Sequence, residues 1–415
     1  MSRLLLVLSI AFLGGGRISL LDGITPFMMT PFLALTVPVV VSEFLSPGGV
    51  TRLRRDGVPR PAVAYACVCV LLLSVVSASV LASAEASTSA ARVALLAVEI
   101  GATLVIAIAL STRDDAMRIL VRGATVGLVL FIVFDILDMA WVLGRVPEDV
   151  AFGPIAINFT TDQYAGLIPR LAGTVGDPNP AGLLLVFYGY VFATGVRRTR
   201  VRRLLIGIIG ILLLLTLSRS GLLAAFTTTV ALIVIRGRPY RVPLSVVRGG
   251  MLLAAGLSVL LVTSRSWLAA VGSVLEPLTL RFSLGEGSTQ DHFALISRGL
   301  SEGTASVSRL AMGIGYGSGY TVLQDFFPGN RYGNFHSLYV TMLAETGLLG
   351  LLLVLALLVV AIVRTNPYRP FVLGAMAFGL FYNVGSEPLF WLTLALAWSH
   401  VHFARPDAAP RLLHG

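Results

Sequence analysis

Groups able to move a proton occur in the stretch 336–350, HSLYVTMLAETGLLG. It opens with the imidazole of His336 and the hydroxyl of Ser337, and it carries a carboxylate at Glu345. Histidine titrates near neutral pH and serves as a general acid or base. An ionisable group inside an apolar helix normally faces a partner or a cavity. The stretch therefore indicates either proton transfer at a helix end or, in the alternative, an interfacial histidine that caps a helix.

Three arginines could bind an anion beside this histidine. Arg219 lies in TLSRSGLLAAF, Arg170 in IPRLAGTVGDPNPAGLLL, and Arg298 in STQDHFALISRGL together with His292. Asn179 begins a predicted helix whose first backbone N–H groups also attract anions. Guanidinium groups stay charged and grip phosphate oxygens with two parallel hydrogen bonds. Each arginine alone could be a solvated loop charge or a headgroup contact, but together they predict an electropositive pocket that suits a pyrophosphate.

The composition sets the environment of these residues. The chain has 415 residues, is 56% hydrophobic and only 13% charged, and has a mean hydropathy of +0.86. Such a chain is too apolar for a soluble domain of this length. Cys67 and Cys69 lie in one apolar run, which excludes a disulfide framework and a zinc site. The sequence therefore predicts a single integral membrane domain over 1–415, with no metal.

Membrane crossings follow from the apolar runs, since each needs about 20 residues. We predict twelve helical spans, in an all-α fold. Their centres lie near residues 12, 35, 72, 102, 130, 188, 210, 229, 257, 350, 377 and 395. The glycines at 347 and 350 are predicted to share one face of the tenth span, where a second helix could approach closely.

The arginines predict the orientation of these spans. All 31 basic residues are arginines, and most lie in alternate connections and at the two ends of the sequence. The positive-inside rule then places both termini in the cytoplasm. Two longer connections lie outside, the first loop (144–178) and the large loop (265–335), which is predicted to hold short helices around Gln290 to Leu300. Arg17 interrupts the first predicted span.

The motifs resemble those of the O-antigen ligase and O-antigen polymerase superfamily. The signature is a histidine, then Asn, Ser or Gln, then nine residues and Gly-x-x-Gly. Further similar segments are RLAGTVGDPNPAG, SRSGLL, AMGIGYGSGY and SEPLFW. The similar core covers approximately 165–350, and the first 160 residues are similar only in being hydrophobic.

The resemblance implies a metal-independent glycosyltransferase in the bacterial cytoplasmic membrane, needing no cofactor. It would pass a glycan from undecaprenyl pyrophosphate to an acceptor hydroxyl, with inversion, on the outer side. Arg219 and a large-loop residue, either His292 or Arg298, would hold the pyrophosphate, and His336 would sit beside the acceptor hydroxyl. The implied partners are the lipid-linked donor, a glycan or lipid-linked acceptor, and membrane lipids, with no nucleic acid.

Other interpretations involve different residues or a different class of protein. Asp135 and Asp138 could bind a metal, although polar loops or an arginine are the favoured partners. The glycine-rich stretch 313–319, GIGYGSG, lacks a following lysine and is interpreted as turns, not as a nucleotide loop. A polysaccharide-lipid flippase or other transporter is the alternative function. Charges gathered at one membrane face favour surface chemistry over transport.

Overall fold

The computed structural model describes residues 2–21, 29–159, 163–164, 168–236, 287–324 and 333–399. Its described part is mainly helical, with five short strands. The helices are α1 Ser2–Ala11, α2 Pro31–Val40, α3 Pro47–Asp56, α4 Arg60–Ser79, α5 Ala86–Ser111, α6 Ala116–Val142, α7 Pro178–Gly195, α8 Thr199–Leu215, α9 Arg219–Arg236, α10 Gly287–Thr304, α11 Val307–Met312, α12 Gly319–Gln324, α13 Leu338–Val363, α14 Arg369–Gly379 and α15 Pro388–Trp398. A π-helical turn, Val41–Leu45, extends α2, and 3-10 turns cover Val80–Ala82 and Val384–Ser386.

Two small sheets depart from the expected all-α fold. Strands β1 (Ile18–Leu20), β2 (Asp149–Phe152) and β3 (Ile155–Asn158) form an antiparallel sheet in the order β1-β3-β2. Strands β4 (Gln163–Tyr164) and β5 (Ile168–Pro169) pair with each other. Gly153, at φ +60°, makes the turn that lets β2 pair with β3. The sheet ties the segment after α1 to the first loop.

Four helices are long and apolar enough to cross a membrane: Arg60–Ala82, Ala86–Ser111, Ala116–Val142 and Leu338–Val363. They confirm the spans predicted near residues 72, 102, 130 and 350. The count of twelve is not confirmed, and the span predicted near residue 257 lies outside the described residues. α1, with 10 residues, covers about 15 Å, half the thickness of the hydrocarbon core.

The centre of the helical body is α7, whose residues from Pro178 to Phe192 are nearly all buried. It packs against α6, α8 and α9, while α14 packs along α9 and α15 against α5. Gly374 of α14 permits a close approach to α9. A Cβ atom there would lie 2.8 Å from the carbonyl oxygen of Ala224 in α9.

A buried ion pair explains the aspartates of α6. Arg17 lies after α1, in the turn before β1, and its guanidinium pairs with Asp138. Asp135 accepts a hydrogen bond from the backbone N–H of Gly173 at 2.8 Å. The favoured interpretation, an arginine and a polar loop as partners, is therefore confirmed. The prediction that Arg17 lies inside a span is wrong, because α1 ends at Ala11.

The predicted orientation can be tested with reporter fusions. The arginines of RRTRVRR, which lie between α7 and α8 and in the first turns of α8, should be in the cytoplasm. We expect a reporter fused after Arg203 to be cytoplasmic and one fused near Ser288 to be external. Paired alkaline phosphatase and green fluorescent protein fusions would measure both positions. A cytoplasmic reporter at Ser288 would contradict an external large loop.

Candidate functional site

His336 is held in an unusual backbone conformation directly before α13. Its φ is +50°, a region that non-glycine residues seldom occupy, and its side chain is only 5% exposed. Its backbone N–H donates to Oδ1 of Asn334 at 2.9 Å. The next residue, Ser337, is the N-cap of α13 and its hydroxyl donates to the carbonyl of Gly379. The contacts around His336 must therefore maintain a conformation that costs energy.

The imidazole of His292 stacks on that of His336, with ring centroids 4.3 Å apart and an interplanar angle of 28°. α10 can approach α13 because Gly299 packs against Val340, where a Cβ atom would come within 2.5 Å of the valine side chain. Gly303 packs in the same way against the backbone of α13. Of the two large-loop candidates, His292 is therefore the one that contacts His336.

Arg298 lies on α10 as well, but it takes part in a different cluster. Its guanidinium pairs with Glu302 one helical turn further on, and Glu302 also pairs with Arg309 of α11. The side chain of Arg298 remains 32% exposed. These pairs link α10 to α11, and Arg298 remains a predicted phosphate ligand.

Tyr382 connects His336 to the start of α7. Its ring meets the His336 ring edge-on, with centroids 6.2 Å apart and an angle of 85°. Its hydroxyl donates to Oδ2 of Asp177 at 2.8 Å. Asp177 is the N-cap of α7 and accepts from the backbone N–H of Asn179, also at 2.8 Å. The hydroxyl of Ser218 donates to Oδ1 of Asn179 at 3.1 Å. One chain of contacts thus runs from His292 to the residue that precedes Arg219.

The two remaining arginines flank the turn between α8 and α9. Arg219 is the first residue of α9, and α8 ends at Leu215, so the expected near-absence of a loop is confirmed. Arg170 is buried, and its Nε donates to the carbonyl of Thr216 at 3.2 Å. The adjacent Leu171 N–H donates to the carbonyl of Leu215. Arg170 and Arg219 therefore lie at either side of one short turn.

Helix ends add to the positive charge of this region. α7, α9 and α13 all begin here, and the contacts from Ser218 to His336 join their N-terminal ends. The N-terminus of a helix carries about half a positive charge and presents N–H groups. The carboxylate of Asp177 offsets part of this charge at α7. With the two arginines, the region can stabilise an anionic group next to an imidazole.

The environment also sets the protonation state of His336. Burial lowers the pKa of His336 to about 4, because a charged imidazolium loses hydration there. The imidazole is therefore neutral at pH 7. A neutral imidazole can accept a proton from a hydroxyl group.

Glu345 holds a loop together. Its two carboxylate oxygens accept hydrogen bonds from the backbone N–H groups of Gly317 and Gly319, at 2.8 and 3.1 Å. Arg92 of α5 donates to the carbonyl of Gly317 at 2.6 Å. The stretch 313–319 is indeed a set of turns, which continues into the start of α12. Glu345 thus supports the site through the segment that packs against α13.

At Gly347 the predicted close approach of a second helix is confirmed, by α11, but the predicted shared face with Gly350 is wrong. This residue interrupts α13 with φ +71°, and it lies against the backbone of Ala311 at the end of α11. At Gly350 a Cβ atom would meet Thr346 and Met342 of the same helix and no second helix. The first glycine therefore makes a kink against α11, and the second lies within the kinked helix.

The structure brings together three of the sequence-predicted residues, His336, His292 and Asn179, in one chain of contacts, with Arg219 and Arg170 beside its end. It leaves Arg298 and Glu345 in partnerships of their own. Sequence reasoning missed Asp177 and Tyr382. The Asp-Pro pair at the start of α7 was an available signal, since aspartate before proline is typical of a helix N-cap.

No protein-family model and no curated protein matches the chain.

Proposed function

We propose that the chain is a membrane glycosyltransferase. It moves a glycan from an undecaprenyl-pyrophosphate donor to an acceptor hydroxyl on the outer side of the bacterial cytoplasmic membrane, as an O-antigen or polysaccharide polymerase or ligase. One observation carries the proposal. A neutral, buried histidine is joined by direct contacts to a turn flanked by two arginines and to three helix N-termini.

The proposed reaction is a single displacement at the anomeric carbon of the donor sugar. The acceptor oxygen forms the new bond, and the bond from carbon to the pyrophosphate oxygen breaks, which inverts the configuration. The acceptor proton passes to the neutral imidazole of His336. The pyrophosphate leaves with the bonding electron pair, and its developing charge is stabilised by Arg219, Arg170 and the ends of α7 and α9.

This division of labour suits the chemistry of the donor. A pyrophosphate is already an activated leaving group, so the protein needs to remove one proton and to stabilise negative charge. Guanidinium groups perform the second task best, because two parallel N–H groups match two phosphate oxygens. His292, stacked on His336, would line the site on the side of the large loop.

Deletion of the gene tests the function in the cell. Loss of a transferase should leave the lipid-linked glycan on the outer face of the membrane. A lipid-linked glycan stranded on the inner face would instead identify a flippase and contradict the proposal. Within the proposal, single repeat units on the final acceptor identify a polymerase, and long chains retained on the lipid carrier identify a ligase.

The lowered pKa of His336 predicts the acid limb of the pH profile. The neutral imidazole is the active form, so activity is lost as the pH falls through its pKa of about 4. We expect kcat to stay level from pH 7.5 to well below 6.5, the ordinary value for histidine. Initial rates of the purified protein across this range would measure it. A midpoint near 6.5 would contradict a buried neutral base.

A further inference from the structure

We propose that Tyr382 and Asp177 are positioning residues that fix the imidazole of His336 relative to the donor site at the ends of α7 and α9. This inference rests on the proposed function and deepens it. The sequence motifs assign no role to either residue, although Asp177 lies within the RLAGTVGDPNPAG segment. Their importance is inferred from the contacts that they make.

The imidazole of His336 is held on two sides. His292 covers one face, and the edge contact from Tyr382 comes from a nearly perpendicular ring. Aromatic contacts of this kind restrict the tilt of a ring. Phe378 meets Tyr382 at a centroid distance of 5.3 Å and supports it from α14. The orientation of the His336 ring therefore depends on where Tyr382 is held.

Asp177 ties Tyr382 to the donor side. Each of its carboxylate oxygens has a separate partner, since Oδ2 accepts from the Tyr382 hydroxyl and Oδ1 from the N–H of Asn179. Both bonds measure 2.8 Å, and bonds to an ionised carboxylate are stronger than neutral ones. Asn179 in turn accepts from Ser218, immediately before Arg219. The distance from the base to the pyrophosphate site is thus set through Tyr382 and Asp177.

Tyr382→Phe isolates this role. It keeps the ring against His336 and the bond from the Asn179 N–H to Asp177, and it removes the hydroxyl that donates to Asp177. We expect kcat to fall about tenfold, the lower limit for the loss of one hydrogen bond to a charged group. The KM for the donor and the melting temperature should change little, because no substrate contact and no helix cap is removed.

Tyr339→Phe is the matched control. The Tyr339 hydroxyl donates to the carbonyl of Met376 at 2.9 Å and so links α13 to α14, without contact to Asp177 or the start of α7 in the described hydrogen bonds. Its removal should leave kcat unchanged. An unchanged kcat in Tyr382→Phe, or an equal fall in both variants, would overturn the inference. The proposed function would still hold if the unsubstituted protein transfers the glycan.

A spectroscopic measurement tests whether Tyr382 positions the His336 ring, and it does not depend on enzymatic activity. The chain has five histidines, so selective 13C labelling of the imidazole Cε1 position gives a simple spectrum. The His336 signal is assigned by its loss in His336→Ala. In ligand-free Tyr382→Phe we expect this signal to shift and its titration midpoint to rise by about half a pH unit, as the ring loosens and gains hydration.

Asp177→Asn serves as the second variant, because it keeps one acceptor oxygen and should move the His336 signal in the same direction. Signals unmoved in both variants would overturn the inference. If the unsubstituted protein transfers no glycan, the proposed function fails, and the His336 signal still decides whether Tyr382 positions the ring.

Discussion

His336→Ala should abolish glycan transfer and leave a folded, inserted protein. Losing the general base should lower kcat by about a hundredfold or more. Stability should fall moderately, because His336 is buried and its ring contacts His292 and Tyr382. The fold should persist, because the substitution lies before α13 and leaves the N-cap residue Ser337 in place. Alanine at φ +50° carries a backbone cost similar to that of histidine. The measurement is turnover of the purified variant on a lipid-pyrophosphate donor, together with its melting temperature.

The matched control for this variant is His414→Ala, at a histidine to which we assign no role. It should turn over like the unsubstituted protein. Near-normal turnover of His336→Ala would leave His336 as a helix-capping residue at the membrane interface. A variant that no longer folds or inserts would mean that the lost activity reports on folding, and would contradict the expected persistence of the fold.

Arg219→Lys separates charge from geometry at the donor site. If Arg219 grips a pyrophosphate, its planar, two-pronged donor is essential, and lysine should lose at least about tenfold in kcat/KM, or 1.4 kcal/mol of transition-state stabilisation. If it only contacts lipid headgroups, lysine should replace it, since an ammonium group carries the same charge and reaches as far. Initial rates at subsaturating donor concentration measure the difference.

Arg145→Lys is the control, because Arg145 is exposed in the turn after α6 and no role is assigned to it. It should retain full activity. Small and equal effects at both positions would remove Arg219 from the donor site. The same comparison at Arg170, buried beside Thr216, would show whether the second arginine also stabilises the charge on the leaving pyrophosphate.

The sequence predicted the long helices well and the short ones poorly. The runs around residues 72, 102, 130 and 350 are apolar along a full membrane thickness, and each is helical, the last with a kink at Gly347. α1, α14 and α15 are equally apolar but only 10, 11 and 11 residues long. Length therefore separates these short apolar helices from the four that are long enough to cross a membrane.

The kink at Gly347 has a physical cause that the sequence did not reveal. The carbonyl oxygens of Ala344 and Glu345 accept hydrogen bonds from the backbone N–H groups of Ile314 and Gly315, at 2.8 and 3.0 Å. These bonds come from a segment about 30 residues earlier in the chain. Because they depend on tertiary packing, the periodicity of the helix could not predict where α13 would bend.

The same limit applies to the site. His336 and Arg219 could be selected from the sequence, because histidine is a common general base and arginine a common phosphate ligand. Tyr382 and Asp177 are more than 200 residues apart, and their bond follows from how α14 meets the start of α7. His292 and Arg298 were equal candidates in sequence. Only the packing of α10 on α13 placed His292 over His336.

The most direct test of the proposed function is transfer by the purified protein in lipid nanodiscs. The substrates are an undecaprenyl-pyrophosphate-linked glycan, labelled in the sugar, and an acceptor glycan, in the presence of a metal chelator. We predict that free undecaprenyl pyrophosphate and labelled acceptor form in equal amounts, and that neither forms with His336→Ala. A donor that remains intact in the nanodiscs, but is moved across the bilayer when the same protein is placed in sealed vesicles, would contradict a glycosyltransferase and identify a transporter.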